Sequence, residues 1–283
     1  MMGILGIVLI LLGGMIVGCH TLAERESPRL KSFLPQQVAS QIVPERLLSY
    51  RQSGEESGQR IIFVHGSPGD SSAWLSFLEN PIEGAEVIAV DRLGYGRSIT
   101  GTTDSGKMDR SVALSYADQA EALGGLLVER DGRWPILVGH SLGGPIVAEA
   151  AAQFPGKVEA IMILAGSLDP AYEEPRWYSR VFAPGVTRWI LPRPWRNSNK
   201  EMMVSLAETT RLQTRLGLIE CPVIVIHGEG DSLVPVGNVE YLRQNLPVHE
   251  GHEFLVIPKQ GHFLPWEQEE LIRERLARLS HKQ

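Results

Sequence analysis

The chain has 283 residues, 43% of them hydrophobic and 21% charged, with 33 acidic against 27 basic side chains and a net charge of -6. A chain of this size buries the core of one domain with room for an insertion, and the acidic balance argues against a general nucleic-acid partner. Its two cysteines, Cys19 and Cys221, are too few and too differently placed for a disulfide framework. Cys221 opens an apolar run and reads as an inert core thiol.

Residues Gly3 to Gly18 carry no charge and are almost wholly apolar, which suits a signal-peptide core or a short membrane span over residues 1–18. The run closes on Ile16-Val17-Gly18-Cys19, which resembles the lipobox of bacterial lipoproteins. That resemblance implies that Cys19 is lipidated, that two acyl chains hold the protein to a membrane, and that the domain faces the periplasm or the cell exterior. An uncleaved helix in the inner membrane is the alternative. Residues 19–45 mix charges with Pro28 and Pro35 and read as a tether.

Arg46 to Tyr50 predicts a first short strand, closed by the turn residues Ser53 to Gly58. Arg60 to Val64 is a continuous apolar run, as a strand covered on both faces requires, and it ends at His65-Gly66-Ser67-Pro68-Gly69. His65 stands beside this loop and reads as its brace. Trp74, a little further on, is either core packing or one wall of a pocket. Glu86 to Val90 predicts the next strand and runs into the loop Asp91 to Ser98, whose Asp91 and Ser98 read as ties for the turn. Ala113, Tyr116, Ala117, Ala120, Leu123 and Leu127 recur at helical spacing.

The chain is organised around Gly139-His140-Ser141-Leu142-Gly143-Gly144. A strand-like run, Trp134 to Val138, precedes it, and the helix-like stretch Pro145 to Phe154 follows. Strand, Gly-x-Ser-x-Gly, helix is the setting in which this motif marks a nucleophilic serine on a strained turn. Gly139 and Gly143 are demanded because so tight a turn has no room for a Cβ at either place. The first N–H groups of the following helix point at the same spot, where an anion can be held.

After another buried strand at Val158 to Leu164, alternation of strand and helix breaks between Leu168 and about Gly217. Three of the six tryptophans, Trp177, Trp189 and Trp195, fall there with Tyr172, Tyr178 and Phe182. So do six basic residues between Pro175 and Lys200, with no acidic one. They read either as a face toward anionic lipid or substrate or as a solvated surface. Pro222 to His227 and Phe254 to Ile257 are the last strands, followed respectively by Gly228 to Pro235, with Asp231, and by Gly261 to Glu267, with His262. An amphipathic helix with Leu271, Ile272, Leu276 and Leu279 closes the chain.

From about Arg46 onward the sequence resembles the α/β-hydrolases in five stretches, taken in order: His65 to Gly69, Asp91 to Ser98, Gly139 to Gly144, the Asp231 loop and the His262 loop. The resemblance implies an α/β fold with a mostly parallel sheet, helices on both faces and a helical cap at about 168–217 within a domain spanning 46–283. The first antiparallel strands of the family are short or partly missing here. It implies a Ser141, Asp231, His262 triad, with Asp169 and Glu229 the competitors for the acid, and an oxyanion hole from the N–H groups of Ser67 and Leu142. Trp74, Trp177, Tyr178 and Phe182 become candidate pocket residues.

The expected chemistry is a serine hydrolase, carboxylesterase- or lipase-like, acting on a small or lipid-like ester without metal or organic cofactor. A serine nucleophile disfavours the family's epoxide hydrolases and haloalkane dehalogenases, which need a carboxylate in its place. Thioester or carbon–carbon bond hydrolysis, acyl transfer and perhydrolysis use the same triad. A non-catalytic anchored binding protein is the reading from another class.

Overall fold

The computed structural model describes residues 25–280 apart from 104, 114, 176, 183–184 and 186–189, together with 18, 21 and 22. Cys19 and the apolar run, except Gly18, lie outside the described residues, as do Trp189 and the side chain of Tyr178. Among the described residues no helix is long and apolar enough to cross a membrane.

Eight strands form one sheet: β1 (Gln36–Ala39), β2 (Leu47–Gly54), β3 (Gln59–Val64) and β4 (Ala85–Asp91), then, after a two-stranded hairpin of β5 (Gly101–Thr102) and β6 (Met108–Asp109), β7 (Ile136–His140), β8 (Ala160–Leu164), β9 (Val223–Gly228) and β10 (Glu253–Ile257). Their order is β1-β2-β4-β3-β7-β8-β9-β10. The pairs β1–β2 and β2–β4 are antiparallel and the rest are parallel.

The continuous apolar runs of the central strands are explained by two cores. Ile62, Val64, Leu137, Ile161 and Val225 point to one face, where the helices Tyr116–Leu123 and Gly143–Gln153 cover them. Ile61, Phe63, Val138, Met162 and Ile226 point to the other, against Phe77 and the C-terminal helix Glu269–Ser280. Both faces are dry, so alternation along these strands carries no polar half.

From Glu26 onward the N-terminal segment is part of the domain, which corrects the tether expected over 19–45 for those residues. Gln36–Ala39 pairs with Leu47–Tyr50, Leu30 is buried in the core, and Glu26 forms ion pairs with Arg51 and Arg97. A four-residue edge strand with an almost wholly exposed pattern has no hydrophobic period to announce it. The strand expected at Arg46 to Tyr50 continues to Gly54 because β2 pairs with β4 from Asp91 back to Glu86.

Between β8 and β9 the described residues contain no strand, but a 3-10 turn at Pro170–Tyr172 and the helices Trp177–Phe182 and Arg193–Gln213. The longer helix buries Asn197, Glu201, Ser205 and Thr209, spaced four apart, with Ser198 beside them and Leu212 in the last turn, so it meets the domain along a mostly polar stripe that ends in the apolar core.

Candidate active site

The chain runs outward from β3 to β4 and then returns to pair β7 on the opposite side of β3. At such a reversal the loops leaving the carboxyl ends of the two strands diverge and open a crevice. The loop His65–Gly69 leaves β3 there, and Ser141 follows β7 directly. Asp231 and His262 leave β9 and β10 at the same end of the sheet.

Ser141 sits at φ 53, a left-handed conformation that a serine adopts only when its surroundings impose it. Its N–H donates to the Leu164 carbonyl at 2.9 Å, and its own carbonyl accepts from Gly144 at 2.9 Å. The flanking glycines are obligatory: a Cβ on Gly139 would lie 2.3 Å from the Gly143 carbonyl oxygen, and one on Gly143 would lie 2.4 Å from that of Val64. The β3 loop presses against the serine, since a Cβ on Gly66 would lie 2.9 Å from Ser141 Cβ. Among the described residues no acceptor takes the N–H of Ser67 or of Leu142.

Asp231 and His262 are in direct contact, with His262 Nδ1 at 2.6 Å from Asp231 Oδ2. Oδ1 of Asp231 accepts the N–H groups of Leu233 and Val234 at 2.8 and 2.9 Å. Burial pushes this carboxyl up, but hydrogen bonds from His227, His262 and the Val234 N–H outweigh it and hold its pKa well below the carboxylate range. The competing acids are elsewhere: Asp169 caps the turn at Pro170–Tyr172 through the Ala171 N–H, and Glu229 accepts from the Lys259 N–H at the surface.

Three histidines support the crevice. His65 is fully buried; its Nε2 accepts the Arg92 N–H at 3.0 Å, so Nδ1 carries the proton and donates to the Gly66 carbonyl at 2.7 Å. Burial and the Arg92 guanidinium keep it neutral. His140, immediately before Ser141, donates from Nε2 to the His262 carbonyl at 3.0 Å, with the two rings 4.8 Å apart. Burial and the neighbouring His262 push its pKa down to about 3. His227 Nε2 lies 3.0 Å from the Val234 carbonyl and 3.5 Å from Asp231 Oδ2. The positioning of His262 by His140, and of Asp231 by His227, escaped the sequence reading; the only signal was a histidine at or next to the end of each strand.

Asp91 and Ser98 hold their loop. Asp91 accepts the N–H groups of Ser71 and Arg97 at 2.8 and 3.0 Å, and Ser98 Oγ donates to the Asp91 carbonyl. Arg92 and Tyr95 of that loop reach Glu201 on the long helix of the insertion, a link that the sequence did not announce.

The aromatic candidates separate. Trp74 is fully buried, 4.8 Å from the Phe63 ring and 6.0 Å from Phe77; it is core packing and no pocket wall, because no part of it faces open space. Trp177 is 76% exposed, and Phe182 is half-buried. Two residues not anticipated, Phe263 and Trp266, stand half-exposed 6.0 Å apart beside His262 as an apolar rim. Of the basic residues of the insertion, Arg193 holds the carbonyls of Gly94 and Gly96, and Arg196 that of Leu191. Arg193 and Trp195 also line, with Arg97, Arg110 and Trp266, a cleft of about 670 Å³ behind the β3 loop. Cys221 is inert, its thiol pushed up to about 12 by burial.

Fold and site geometry together define a hydrolase, and the chain belongs to the alpha/beta hydrolase family, which it matches over residues 61–275. It is 28% identical over 237 residues to a bifunctional esterase/perhydrolase of Acinetobacter calcoaceticus, covering 66% of this chain and 79% of that protein. In structure it is similar to a monoacylglycerol lipase of Paleococcus ferrophilus, with a TM-score of 0.64, 20% identity and coverage of 83% of this chain and 99% of the other. It is also similar to a membrane phospholipase A described as a bacterial virulence factor, with a TM-score of 0.62, 20% identity and coverage of 98% and 96%.

Proposed function

We propose that this protein hydrolyses carboxylic esters through an acyl-enzyme on Ser141. The observation that carries the reading is a carboxylate and an imidazole joined at 2.6 Å in the crevice that also holds a serine at φ 53. A serine hydroxyl is a poor nucleophile until a base takes its proton. In this reading Ser141 Oγ attacks the ester carbonyl while His262 Nε2 accepts the hydroxyl proton, and Asp231 keeps the imidazole in the tautomer that leaves Nε2 free. The oxyanion is held by the N–H groups of Ser67 and Leu142. The same proton passes to the departing alkoxide, and water, deprotonated by His262, releases the acid. No cofactor enters the scheme.

A small or lipid-like ester is favoured by the apolar rim of Phe263 and Trp266, by Trp177 on the insertion, and by the lipase and phospholipase neighbours. The insertion at about 168–217 is proposed as a cap over this substrate. Attachment to a membrane through Cys19 rests on the lipobox-like sequence and is part of the same proposal. Perhydrolysis is a second reading that the Acinetobacter relative favours.

The test is hydrolysis of p-nitrophenyl esters graded from acetate to palmitate by the purified protein. Turnover that peaks at one chain length and is lost in Ser141→Ala is expected. A Ser141→Ala protein matching the wild type on every ester would overturn the reading and leave an anchored binding protein.

A further inference from the structure

If Ser67 supplies an oxyanion N–H, the setting of its loop bears directly on rate, and that loop is held from the insertion. Arg92 donates from Nε to the His65 carbonyl at 2.9 Å and from Nη2 to the Gly66 carbonyl at 3.0 Å. The same guanidinium forks onto Glu201, with Nη1 to Oε1 at 2.6 Å and Nη2 to Oε2 at 3.2 Å. Oε2 of Glu201 also accepts Ser67 Oγ–H, and the Tyr95 hydroxyl at 2.6 Å. Three consecutive loop residues are therefore tied to one ion pair whose side chains are 1% and 3% exposed. Burial and the Glu201 charge raise the Tyr95 pKa, so its hydroxyl remains a donor.

We propose that Glu201 is a positioning residue: from the long helix of the insertion it sets the Ser67 N–H for the tetrahedral intermediate, so that this helix is a fixed part of the site. The proposal rests on the serine-hydrolase reading above. Only an ionised carboxylate offers acceptors to every donor present. Because Arg92 faces both oxygens and has no acceptor, a carboxamide in either orientation turns an N–H toward the guanidinium and leaves a buried donor unmatched, while the Tyr95 and Ser67 hydroxyls, 2.9 Å apart, must rearrange around it. The expected signature is kinetic, because a donor displaced by a fraction of an ångström is felt where charge develops and not where substrate first binds.

The experiment measures kcat and KM on the best p-nitrophenyl ester for Glu201→Gln, for Ser67→Ala, which keeps the N–H and removes only the hydroxyl tie, and for the two combined. Glu201→Gln is expected to lower kcat by about ten- to a hundredfold with KM within about twofold. Ser67→Ala is expected to lower kcat by about three- to tenfold, and adding it to Glu201→Gln to cost no more, since both act through one contact. Unchanged kcat in Glu201→Gln, or losses that multiply in full, would overturn the proposal. If Glu201→Gln fails to fold, Ser67→Ala at the wild-type kcat overturns it. A wild type that hydrolyses no ester sinks the serine-hydrolase reading alone; amide hydrogen exchange over residues 65–69 then decides, with faster exchange in Ser67→Ala supporting the tie and identical exchange overturning it.

Discussion

Asp231 and Glu201 are both buried carboxylates at the same end of the sheet, and they are held by opposite kinds of partner. Asp231 faces an imidazole, a group that can take up a proton on one ring nitrogen and hand it on, and is surrounded by N–H donors that keep it ionised. Glu201 faces a guanidinium that never loses its proton, in a two-pronged contact that fixes angle as well as distance. A charge beside a titrating partner serves a proton transfer; a charge beside a permanent one serves geometry. On this reading one region of the site does chemistry and the other keeps the target still.

Replacing the titrating side's carboxylate breaks the comparison most. Asp231→Asn retains an oxygen for the Leu233 and Val234 N–H groups but favours the wrong imidazole tautomer, so kcat is expected to fall by about 10⁴-fold while the thermal midpoint moves little. Steady-state kinetics beside a melting curve checks both halves.

Arg92→Met should cost stability as well as kcat. It strands Glu201 without its counter-charge, at about 3–5 kcal/mol of stability, read as a fall in the urea midpoint. Arg92→Met combined with Glu201→Leu should recover most of that stability without recovering kcat, because an apolar pair fills the space but ties no loop.

The smallest effect sharpens the titrating side. His140 has a pKa of about 3 in the folded protein and near 6.5 when unfolded. Between those values the unfolded chain binds the extra proton, so stability present above pH 6.5 is lost as the pH falls toward 3. His65 adds to the slope in the same direction. His140→Asn should remove about 1.4 kcal/mol per pH unit from the slope of unfolding free energy between pH 6 and 4.

What was legible in the sequence follows from how local each requirement is. Gly139 and Gly143 announce the serine turn because a Cβ there collides with backbone only a few residues away or on the adjoining strand. The doubly apolar strands declare themselves because each residue of the run faces one of the two cores. Trp74 left two readings open, since a pocket wall and a core ring look alike in one dimension; its place between Phe63 and Phe77 excludes the wall. A helical cap was expected at 168–217 from the resemblance alone, and the docking face of its long helix was hidden for a physical reason. It docks mostly by Asn197, Ser198, Glu201, Ser205 and Thr209 and reaches the apolar core with Leu212 only in its last turn, so most of its buried face has no hydrophobic period. Glu201 meets Arg92 across 109 positions of chain, and no local pattern encodes such a meeting. His140 is hidden in the same way, ending its strand and meeting His262 across 122 positions, whereas His227 and Asp231 are only four positions apart and were hidden because a polar side chain at the end of a buried strand does not show which way it points.

The central claim is that Ser141 is an activated nucleophile. Its most direct test is to treat the protein with a fluorophosphonate, digest it and locate the added mass. The account predicts a single phosphonyl group on the peptide carrying Ser141, formed rapidly in the wild type and at least a hundredfold more slowly in His262→Ala, as removal of a catalytic base requires (about 10²–10⁴-fold). A folded wild type that takes up no label, or one labelled at the same rate without His262, would contradict it.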